Sequence, residues 1–507
     1  MTSKTFVLTA CIVVILTLSG CQGVSPGAAG SSNNGSVNPP PSPPPPTPPP
    51  PPPPPPPTPP PPPTLQSVNH IIFMIQENRS FDAYFGKIND FRAQSGLGRD
   101  ADDLEVLFSN PADDGSTVTN FHLTTSCIYN TTAAWLESHG DMNRFAPSDG
   151  NPLLLNGFVH TAGGLAIADG FPDTKGVRSM GFYDGNDLVS PYFLATQFAT
   201  SDRWYTPAPV QTEAVRLYAM AATSQGFAHP PNSSSATLNA TTIFQLLDNA
   251  GISWKIYSVN NDPNTGRLIT FLNFFQPYGS TKQDHVFPIS QYFTDVQNGT
   301  LPSFAYIEPA FLSGMDEHPG QGTDIQAGAR FMGSIITALM NSSSWKDSIF
   351  IETFDEGGGL FDHVGPMIDG QPVQELSGGV AGSQAVGPGK YATDAAIQHV
   401  PNPDGIPPKD LGPNDSQGNF TRTGFRVPVI IVSPFSRAHF ISHTPMDFTA
   451  VLKLVEKRFN LPNLTQRDAA QADMSEFFDF SSPNQSPPMP PAQPQNLVCD
   501  PTRASGP

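Results

Sequence analysis

The chain has few cysteines, and their positions exclude the common cysteine-based sites. The 507 residues contain four, at Cys11, Cys21, Cys127 and Cys499. None of these positions has the C-x-x-C spacing of a redox pair or of a zinc ribbon. Cys11 and Cys21 lie in the N-terminal segment, which leaves Cys127 and Cys499 for the folded part. In an exported protein these two form one disulfide or remain free thiols, and the sequence leaves both outcomes open.

Positive charge is also scarce. The chain has 25 Lys and Arg residues against 44 Asp and Glu, which gives a net charge of −19, and only 14% of the residues are charged. Nucleic-acid phosphates need a basic surface, so a nucleic-acid partner is excluded. The sequence has no polybasic segment that would attract anionic lipid. A small or zwitterionic phosphoester remains compatible with this charge.

The first twenty residues have the composition of an export signal. Lys4 provides the positive start, and the apolar run from Phe6 to Leu18 is too short to span a membrane stably. Leu18-Ser-Gly-Cys21 resembles the lipobox of bacterial lipoproteins, which implies cleavage before Cys21 and attachment of lipid to that cysteine. We therefore predict an exported protein that is lipid-anchored in the bacterial cell envelope, with a secreted protein as the alternative.

Composition divides the chain into four parts. Residues 1–20 are the predicted signal peptide, and 21–64 are a Gly/Ser segment followed by a proline tract. Extended polyproline II at ~3.1 Å per residue makes this tract a stiff spacer about 80 Å long. Residues 65–481 are the predicted folded domain, in which the aperiodic stretch 367–423 is expected to be an insertion or a lid. Residues 482–507 form a Pro-rich tail that is expected to be loosely attached.

Strand and helix patterns alternate through the folded domain. The predicted strands are Val68–Ile75, Ile252–Ser258, Phe304–Ile307, Ser348–Phe354 and Phe425–Val432. The predicted helices are Pro191–Phe198, Glu213–Thr223, Thr241–Ala250, Ile325–Met340 and Asp447–Phe459. Such alternation predicts an α/β fold, with a mainly parallel sheet sandwiched by helices in a single large domain.

Polar side chains follow two of the predicted strands directly. Glu77 and Asn78 come after the first strand, and Asp355 and Glu356 come after the fourth. In open α/β sheets, ligands bind in the crevice outside the carboxyl ends of the strands. Carboxylate and amide oxygens suit Mg, Ca, Mn or a zinc site without thiolates. The alternative is that these acids form salt bridges with neighbouring bases such as Arg79.

Three segments resemble one enzyme family. ENRSFDAYFG begins at Glu77, QTEAVRLY at Gln211 and TFDEGGGLFDHV at Thr353. In this order they resemble the phosphoesterase family of bacterial phosphatidylcholine-type phospholipases C and acid phosphatases, which belongs to the alkaline-phosphatase-like superfamily. The resemblance spans about residues 66 to 480. It implies an alkaline-phosphatase-like catalytic domain over 65–481 that hydrolyses small-molecule or lipid phosphoesters, most like a phospholipase C.

The resemblance also implies roles for individual residues. Thr212 would be the nucleophile, and His318 or His139 would protonate the departing alcohol. Arg216 and Arg79 would bind the substrate phosphate. The cofactor would be a divalent metal ion, whose identity the sequence does not reveal. Its ligands would be Glu77, Asn78, Asp355 and Glu356, with His363 as a further ligand or a residue that supports one.

Local patterns leave other interpretations open. Thr212 precedes a helix-forming segment, so it is also expected as a simple helix N-cap. The family has Pro-Asn where Ala214 and Val215 stand here, which leaves room for a surface-displayed lipoprotein that binds without cleaving. An acid phosphatase acting on monoesters would share the same core. Ala222-Thr-Ser-Gln-Gly226 is close to a serine-esterase elbow, and a metal-independent esterase acting through Ser224 is the remaining alternative.

Overall fold

The computed structural model describes residues 63–145, 147, 153–231, 238–320, 323–367, 411, 415, 420, 422–504 and 506. The predicted signal peptide, the lipidation site Cys21 and nearly all of the spacer lie outside these residues. Most of the predicted insertion, 367–423, also lies outside them. The described residues belong to one compact unit, Pro61–Pro507. Within them, no helix combines the length and apolar character needed to cross a membrane.

Strands and helices alternate along the described chain. The strands are β1 (His70–Gln76), β2 (Ser109–Pro111), β3 (Thr117–Thr119), β4 (Phe121–His122), β5 (Gly181–Phe182), β6 (Ala199–Ser201), β7 (Trp204–Tyr205), β8 (Trp254–Ser258), β9 (Val286–Pro288), β10 (Phe304–Ile307), β11 (Ser348–Phe354), β12 (Val429–Val432), β13 (Phe440–Ser442) and β14 (Met446–Asp447). The helices are α1 (Phe81–Phe85), α2 (Ile88–Gln94), α3 (Trp135–Met142), α4 (Phe158–Asp169), α5 (Val189–Gln197), α6 (Thr212–Ala221), α7 (Ile243–Asn249), α8 (Ile289–Asn298), α9 (Ile325–Met340), α10 (Thr449–Phe459) and α11 (Gln466–Ala470).

An eight-stranded sheet forms the centre of the fold, in the order β13-β6-β12-β11-β1-β10-β8-β9. Every neighbouring pair is parallel except the two that involve β12, which runs antiparallel to both β11 and β6. The central strand β1 is apolar from Ile71 to Ile75, and each of these side chains is fully buried. A continuous apolar run of this kind is what a strand covered on both faces requires.

Helices cover both faces of this sheet. Tyr306 of β10 pairs with Ile256 of β8, and since side chains alternate along a strand, Tyr257 lies on the opposite face. Helix α7 packs on one face, where the Phe244 ring is 6.1 Å from that of Tyr306. Helix α8 packs on the other, where the Tyr292 ring is 5.5 Å from that of Tyr257. The prediction of a mainly parallel α/β sheet sandwiched by helices is confirmed.

Two parts of the chain differ from expectation. The predicted strand Phe425–Val432 joins the eight-stranded sheet only from Val429 onward, because the residues before Pro428 pair elsewhere: Arg426 bridges Tyr205, and the Val427 N–H donates to the Trp204 carbonyl at 2.9 Å. The C-terminal tail is not loosely attached. The side chain of Gln493 accepts a hydrogen bond from the Ser190 N–H at 3.1 Å and donates one to the Asp187 carbonyl at 2.5 Å, and Ala504 is buried.

Candidate active site

The site lies where the two central strands end. β1 and β11 run side by side in the same direction, with Gln76 paired to Phe354 at their last position. Glu77 and Asp355 therefore leave the same edge of the sheet, and the Asp355 N–H donates to the Gln76 carbonyl at 3.0 Å. The parallel register brings together acids that are 278 positions apart in the chain, as the sequence predicts for the carboxyl edge of an α/β sheet.

Arg216 on α6 lies between these two acids. Its Nη2 donates to Glu77 Oε1 at 2.7 Å, and its Nε donates to Asp355 Oδ2 at 3.3 Å. The same Nη2 also donates to the carbonyls of Ile75 and Gln76, and the side chain is completely buried. These contacts use Nε and Nη2, whereas the buried Nη1 has no hydrogen-bond partner among the described residues. Arg216 thus positions Glu77 and Asp355 and balances their charge, and its role as a phosphate ligand stays a prediction.

Thr212 is the first residue of helix α6 and lies at the edge of a cleft of about 410 Å³. Its hydroxyl donates to Glu77 Oε2 at 3.1 Å. The N-cap of the helix is Gln211, which makes no side-chain capping bond, so the simple N-cap interpretation of Thr212 does not fit. The first N–H groups of an α-helix have no partner within the helix and point toward this end, where they suit an anion.

Asn78 is held in an unusual conformation beside the acids. Its φ is +59°, in the left-handed region that a non-glycine residue rarely adopts. Its backbone N–H donates to Asp355 Oδ1 at 2.9 Å. A Cβ at Gly358 would come within 2.6 Å of the Asn78 carbonyl oxygen, so this close approach requires glycine there. The side-chain Oδ1 of Asn78 is buried and has no hydrogen-bond partner among the described residues.

Negative charge accumulates around these groups. Burial, and then the neighbouring Asp355 carboxylate, raise the pKa of Glu77 well above its ordinary value, and the same two causes raise the pKa of Glu356. Burial also raises the pKa of Asp316, whose carbonyl accepts the Glu77 N–H at 2.9 Å. Crowded, buried carboxylates favour a bound cation, which would keep them ionised.

The donor set fits a hard divalent cation. The unpartnered amide oxygen of Asn78 and the carboxylates of Glu77, Asp355 and Glu356 are oxygen ligands of the kind such ions prefer. In the described chain, three groups of His, Cys, Asp or Glu already have their ligand atoms within 4.8 Å of one another, and none of the three includes Glu77, Asp355 or Glu356. Arg216 is inserted between Glu77 and Asp355.

Comparisons with known proteins assign the chain to a family. A model described as the Phosphoesterase family matches residues 68–462. This chain belongs to the Phosphoesterase family. It is a phosphoric ester hydrolase of the phospholipase C-like kind. Phospholipase C B of Mycobacterium tuberculosis is 30% identical to it over 456 residues, which cover 83% of this chain and 79% of that protein.

Two further proteins show the range of similarity. Non-specific phospholipase C4 of Arabidopsis thaliana is 27% identical over 462 residues, covering 83% of this chain and 73% of that protein. The crystal structure of a protein in the alkaline phosphatase superfamily from Vibrio parahaemolyticus covers 81% of each chain, at 13% identity and a TM-score of 0.29. That structural similarity is too low to support a conclusion.

The two predicted catalytic histidines of this phosphoesterase lie in different places. His318 lines the cleft together with Thr212 and Glu356, and its Nδ1 is 2.6 Å from the Pro319 carbonyl oxygen. His139 is buried on α3, where its Nδ1 is 2.7 Å from the Trp135 carbonyl oxygen. It is absent from the lining of the cleft. The arrangement therefore favours His318 over His139 as the proton donor.

Arg79 is also directed away from the cleft. Its Nε donates to the Glu317 carbonyl at 2.8 Å, its guanidinium lies 6.0 Å from the centre of the Tyr183 ring, and it is 1% exposed. In the described structure Arg79 holds the 316–318 loop through this contact, its Nη1 has no hydrogen-bond partner, and its role in binding phosphate stays a prediction. That loop carries both Asp316 and His318 to the site.

His363 lies in a buried ion network that supports the glycine loop after β11. Its Nδ1 is 2.7 Å from Asp82 Oδ2, and its Nε2 is 3.1 Å from Asp102 Oδ1. Burial lowers its pKa, but the Asp82 and Asp102 carboxylates outweigh this and raise it to about 10. Arg426 pairs with both Asp82 and Asp362 in the same network. His363 also forms, with Asp82 and Asp362, a group whose possible ligand atoms lie within 4.8 Å of one another, so its role as a further ligand or as a supporting residue stays a prediction.

Cys127 and Cys499 form a disulfide, with their Cα atoms 4.7 Å apart. This is one of the two outcomes that the sequence leaves open. Cys499 also begins a C-x-P-x-R segment, Cys499-Asp-Pro-Thr-Arg503, with the spacing of a sulfatase nucleophile. Because its sulfur is bonded to Cys127, it cannot serve as one. Ser224 of the esterase alternative is fully buried and follows a helix, so it is not presented to substrate either.

Sequence reasoning misses two acids of the site. Glu308 follows β10 directly and is fully buried, and its Oε1 accepts from the Thr270 hydroxyl at 2.8 Å. It obeys the same strand-end rule as Glu77, so the sequence contains a signal for it. Asp316 lies nine residues after the end of β10 and reaches the site only through the path of its loop.

Proposed function

We propose that this chain is a metal-dependent phospholipase C that cleaves the phosphodiester of a phospholipid with Thr212 as nucleophile. The observation that carries the proposal is the 3.1 Å hydrogen bond from the Thr212 hydroxyl to Glu77 Oε2, at the cleft where the acids converge. The phospholipases C among its relatives support the substrate class. A serine or threonine hydroxyl becomes a competent nucleophile when a neighbouring base accepts its proton.

The chemistry of the first step follows from this contact. Glu77 Oε2 accepts the proton of the Thr212 hydroxyl as Oγ1 attacks phosphorus in line. The bond from phosphorus to the glycerol oxygen breaks, and His318 donates a proton to the departing diacylglycerol. Water then attacks the phosphothreonine by the reverse path and restores Thr212. Glu77 must be ionised to accept this proton, and Arg216, 2.7 Å away, favours the ionised form against the burial and the Asp355 charge that raise the pKa of Glu77.

The protein supplies two electrostatic features for this reaction. The N–H groups at the start of α6 would bind the phosphoryl oxygens, in the place that the sequence assigns to the arginines. Arg216, behind them, keeps Glu77 and Asp355 oriented and partly neutralised. A divalent cation held by Asn78 Oδ1, Glu77, Asp355 and Glu356 would polarise the phosphoryl group and lower the pKa of the Thr212 hydroxyl.

The location of the enzyme is part of the proposal. A lipid on Cys21 would anchor it in the bacterial cell envelope, and the proline tract that follows would separate the catalytic domain from the anchoring membrane. At ~3.1 Å per residue, this separation reaches about 80 Å. Radiolabelled palmitate incorporated into the wild type and not into Cys21→Ser would support the anchor. Equal labelling of both chains would contradict it.

Two chromogenic substrates test the activity. Hydrolysis of p-nitrophenyl phosphorylcholine and of p-nitrophenyl phosphate is measured with and without chelator. We expect cleavage of the choline diester, its loss on chelation, and its recovery with a divalent metal. Cleavage of the monoester alone would instead identify an acid phosphatase. Choline-ester binding without turnover of either substrate, under several metals, would identify a binding lipoprotein.

The nucleophile is tested separately. Thr212→Ala should lower kcat on the choline diester by at least 10³-fold while the melting temperature stays near that of the wild type, because nucleophile and base act as a unit. Thr212→Ser should retain measurable activity. Thr294→Ala, at an exposed threonine of α8, is the matched control and should be fully active. Full activity of Thr212→Ala would exclude the assignment.

A further inference from the structure

A second cavity adjoins the catalytic cleft. It has a volume of about 320 Å³ and lies between α3 and α4, and we call it the α3–α4 groove. Thr132 and Leu165 line both this groove and the cleft. Leu136 and Ala168 add apolar surface, and a Cβ at Gly164 would meet no described atom within 4 Å. A ligand whose phosphoester lies at Thr212 therefore has an open, largely apolar space beside it.

Exposed apolar side chains accompany the two cavities. Phe145 is 76% exposed, Ile167 68% and Leu312 61%. Phe145 directly follows Arg144, which lines the groove. Ile167, on the last turn of α4, directly precedes Ala168, which also lines it, and Leu312 directly follows Phe311, which lines the cleft. We call these three side chains the apolar rim. Exposed apolar side chains next in sequence to residues that line a site are candidates for an interaction surface.

The charged residues near the α3–α4 groove indicate which kind of lipid bilayer this part of the protein can contact. Arg144 of the groove is paired with Asp113, and the His160 Nδ1 is 2.9 Å from the same carboxylate. Lys175 is paired with Asp114 at 3.3 Å. The two cationic side chains, Arg144 and Lys175, therefore each have a carboxylate partner, and the chain as a whole has a net charge of −19. An anionic bilayer would thus be repelled, whereas a zwitterionic one would meet the apolar rim without that penalty.

We propose that the apolar rim docks on the surface of a zwitterionic phospholipid bilayer and that the α3–α4 groove receives the glycerol side of the lipid being cleaved. This inference rests on the proposed phospholipase C function and specifies how that site reaches a lipid. Insertion of Phe145, Ile167 and Leu312 among the lipid head groups would bring the groove to the level of the glycerol backbone. Soluble esters would not need the rim, because they reach the cleft from water.

The test compares a soluble and a vesicle substrate on the full chain. The triple variant Phe145→Ser/Ile167→Ser/Leu312→Ser should lose at least tenfold in kcat/KM on phosphatidylcholine vesicles and stay within twofold of the wild type on p-nitrophenyl phosphorylcholine. Met489→Ser is the control for the loss of an exposed apolar side chain. Met489 is 42% exposed and follows a segment that is held near the start of β11 by a hydrogen bond from Gln485 to the Lys346 carbonyl. All variants carry the same N-terminal segment, so its contribution to vesicle binding cancels.

Cosedimentation with phosphatidylcholine vesicles separates docking from chemistry. The triple variant should bind these vesicles more weakly than the wild type does, and Met489→Ser should not. Gly164→Phe fills the groove and should keep vesicle binding while losing vesicle hydrolysis. Equal vesicle hydrolysis and binding by wild type and triple variant would overturn the proposal, as would tighter binding to anionic vesicles. If no substrate is hydrolysed, the proposed function fails, and the vesicle-binding difference still decides whether the rim docks.

Discussion

Arg216 offers a direct test of how the site is assembled. Arg216→Met removes the guanidinium but keeps much of the aliphatic volume inside the protein. In the wild type its nitrogens are 2.7 Å from a Glu77 oxygen and 3.3 Å from an Asp355 oxygen, with all three side chains buried. At an effective dielectric constant of ~20, these distances correspond to gross attractions of about 6 and about 5 kcal/mol.

The measured loss should be smaller than this gross attraction. Burying the guanidinium costs several kcal/mol, which offsets part of it, and breaking a buried pair typically destabilises a protein by about 3–5 kcal/mol. We therefore expect Arg216→Met to lower the free energy of unfolding by about 3–5 kcal/mol at pH 8 in the presence of chelator. A divalent cation should restore part of this loss, because it supplies the missing positive charge.

The loss should also depend on pH. The pKa of Glu77 is already raised, and removing Arg216 raises it further. A carboxyl whose pKa is higher in the folded state than in the unfolded state costs stability progressively as pH rises above the unfolded value of ~4.3. The variant should therefore be closer to the wild type at pH 5.5 than at pH 8.

Urea unfolding followed by tryptophan fluorescence measures these differences. Arg330→Met, at an exposed position on α9, is the matched control and should change stability by less than about 0.5 kcal/mol. A loss below about 1 kcal/mol for Arg216→Met at pH 8 would refute the argument. So would a loss that is equal at both pH values, since it would show that the acids do not depend on Arg216 for their charge.

Three further predictions concern stability. Cys127→Ala/Cys499→Ala opens a link that spans 372 positions, so urea unfolding should show a loss of up to about 6 kcal/mol on the chain-entropy model, and a loss under about 1 kcal/mol would contradict it. Both carboxyl oxygens of buried Glu352 lack a partner among the described residues, and burial raises its pKa. Glu352→Gln should therefore gain stability over the wild type as pH rises above ~4.3, and a pH-independent difference would argue against this. His363 has its pKa raised to about 10, so its contribution is complete below pH ~6.5 and is lost as pH rises through 10. His363→Gln should be destabilised at pH 6 and converge with the wild type above pH 10, whereas an unchanged gap at high pH would count against the ion network.

Local patterns in the chain determine much of the fold. The helix Ile325–Met340 is predicted with its observed ends, because apolar residues recur with a helical period and Asp324 caps its start through the N–H groups of Gln326 and Ala327. The strand Ser348–Phe354 is likewise predicted with its observed bounds. β12 begins later than predicted, because the residues before it pair with Trp204 and Tyr205 instead of with β11, and periodicity alone does not record which partner a segment takes.

The candidate site is likewise predicted in part by the sequence and completed by the tertiary structure. The sequence by itself determines which oxygen donors follow the central strands, since strand ends are read from local composition. Glu77, Asn78, Asp355 and Glu356 are found in this way, and the parallel sheet then brings them to one edge. The family resemblance identifies Thr212 as the residue to examine, and the folded chain places its hydroxyl 3.1 Å from Glu77.

Only the tertiary structure decides the direction of long side chains and the path of loops. Arg216 and Arg79 look alike in the sequence as phosphate ligands, yet both guanidinium groups are buried, and each donates to acids or carbonyls inside the protein while its Nη1 has no partner among the described residues. His139 and His318 differ for the same reason, since one lies on an inner helix face and the other on a loop at the cleft. Composition sets which groups are available, and only packing among residues far apart in the chain sets which of them face the substrate.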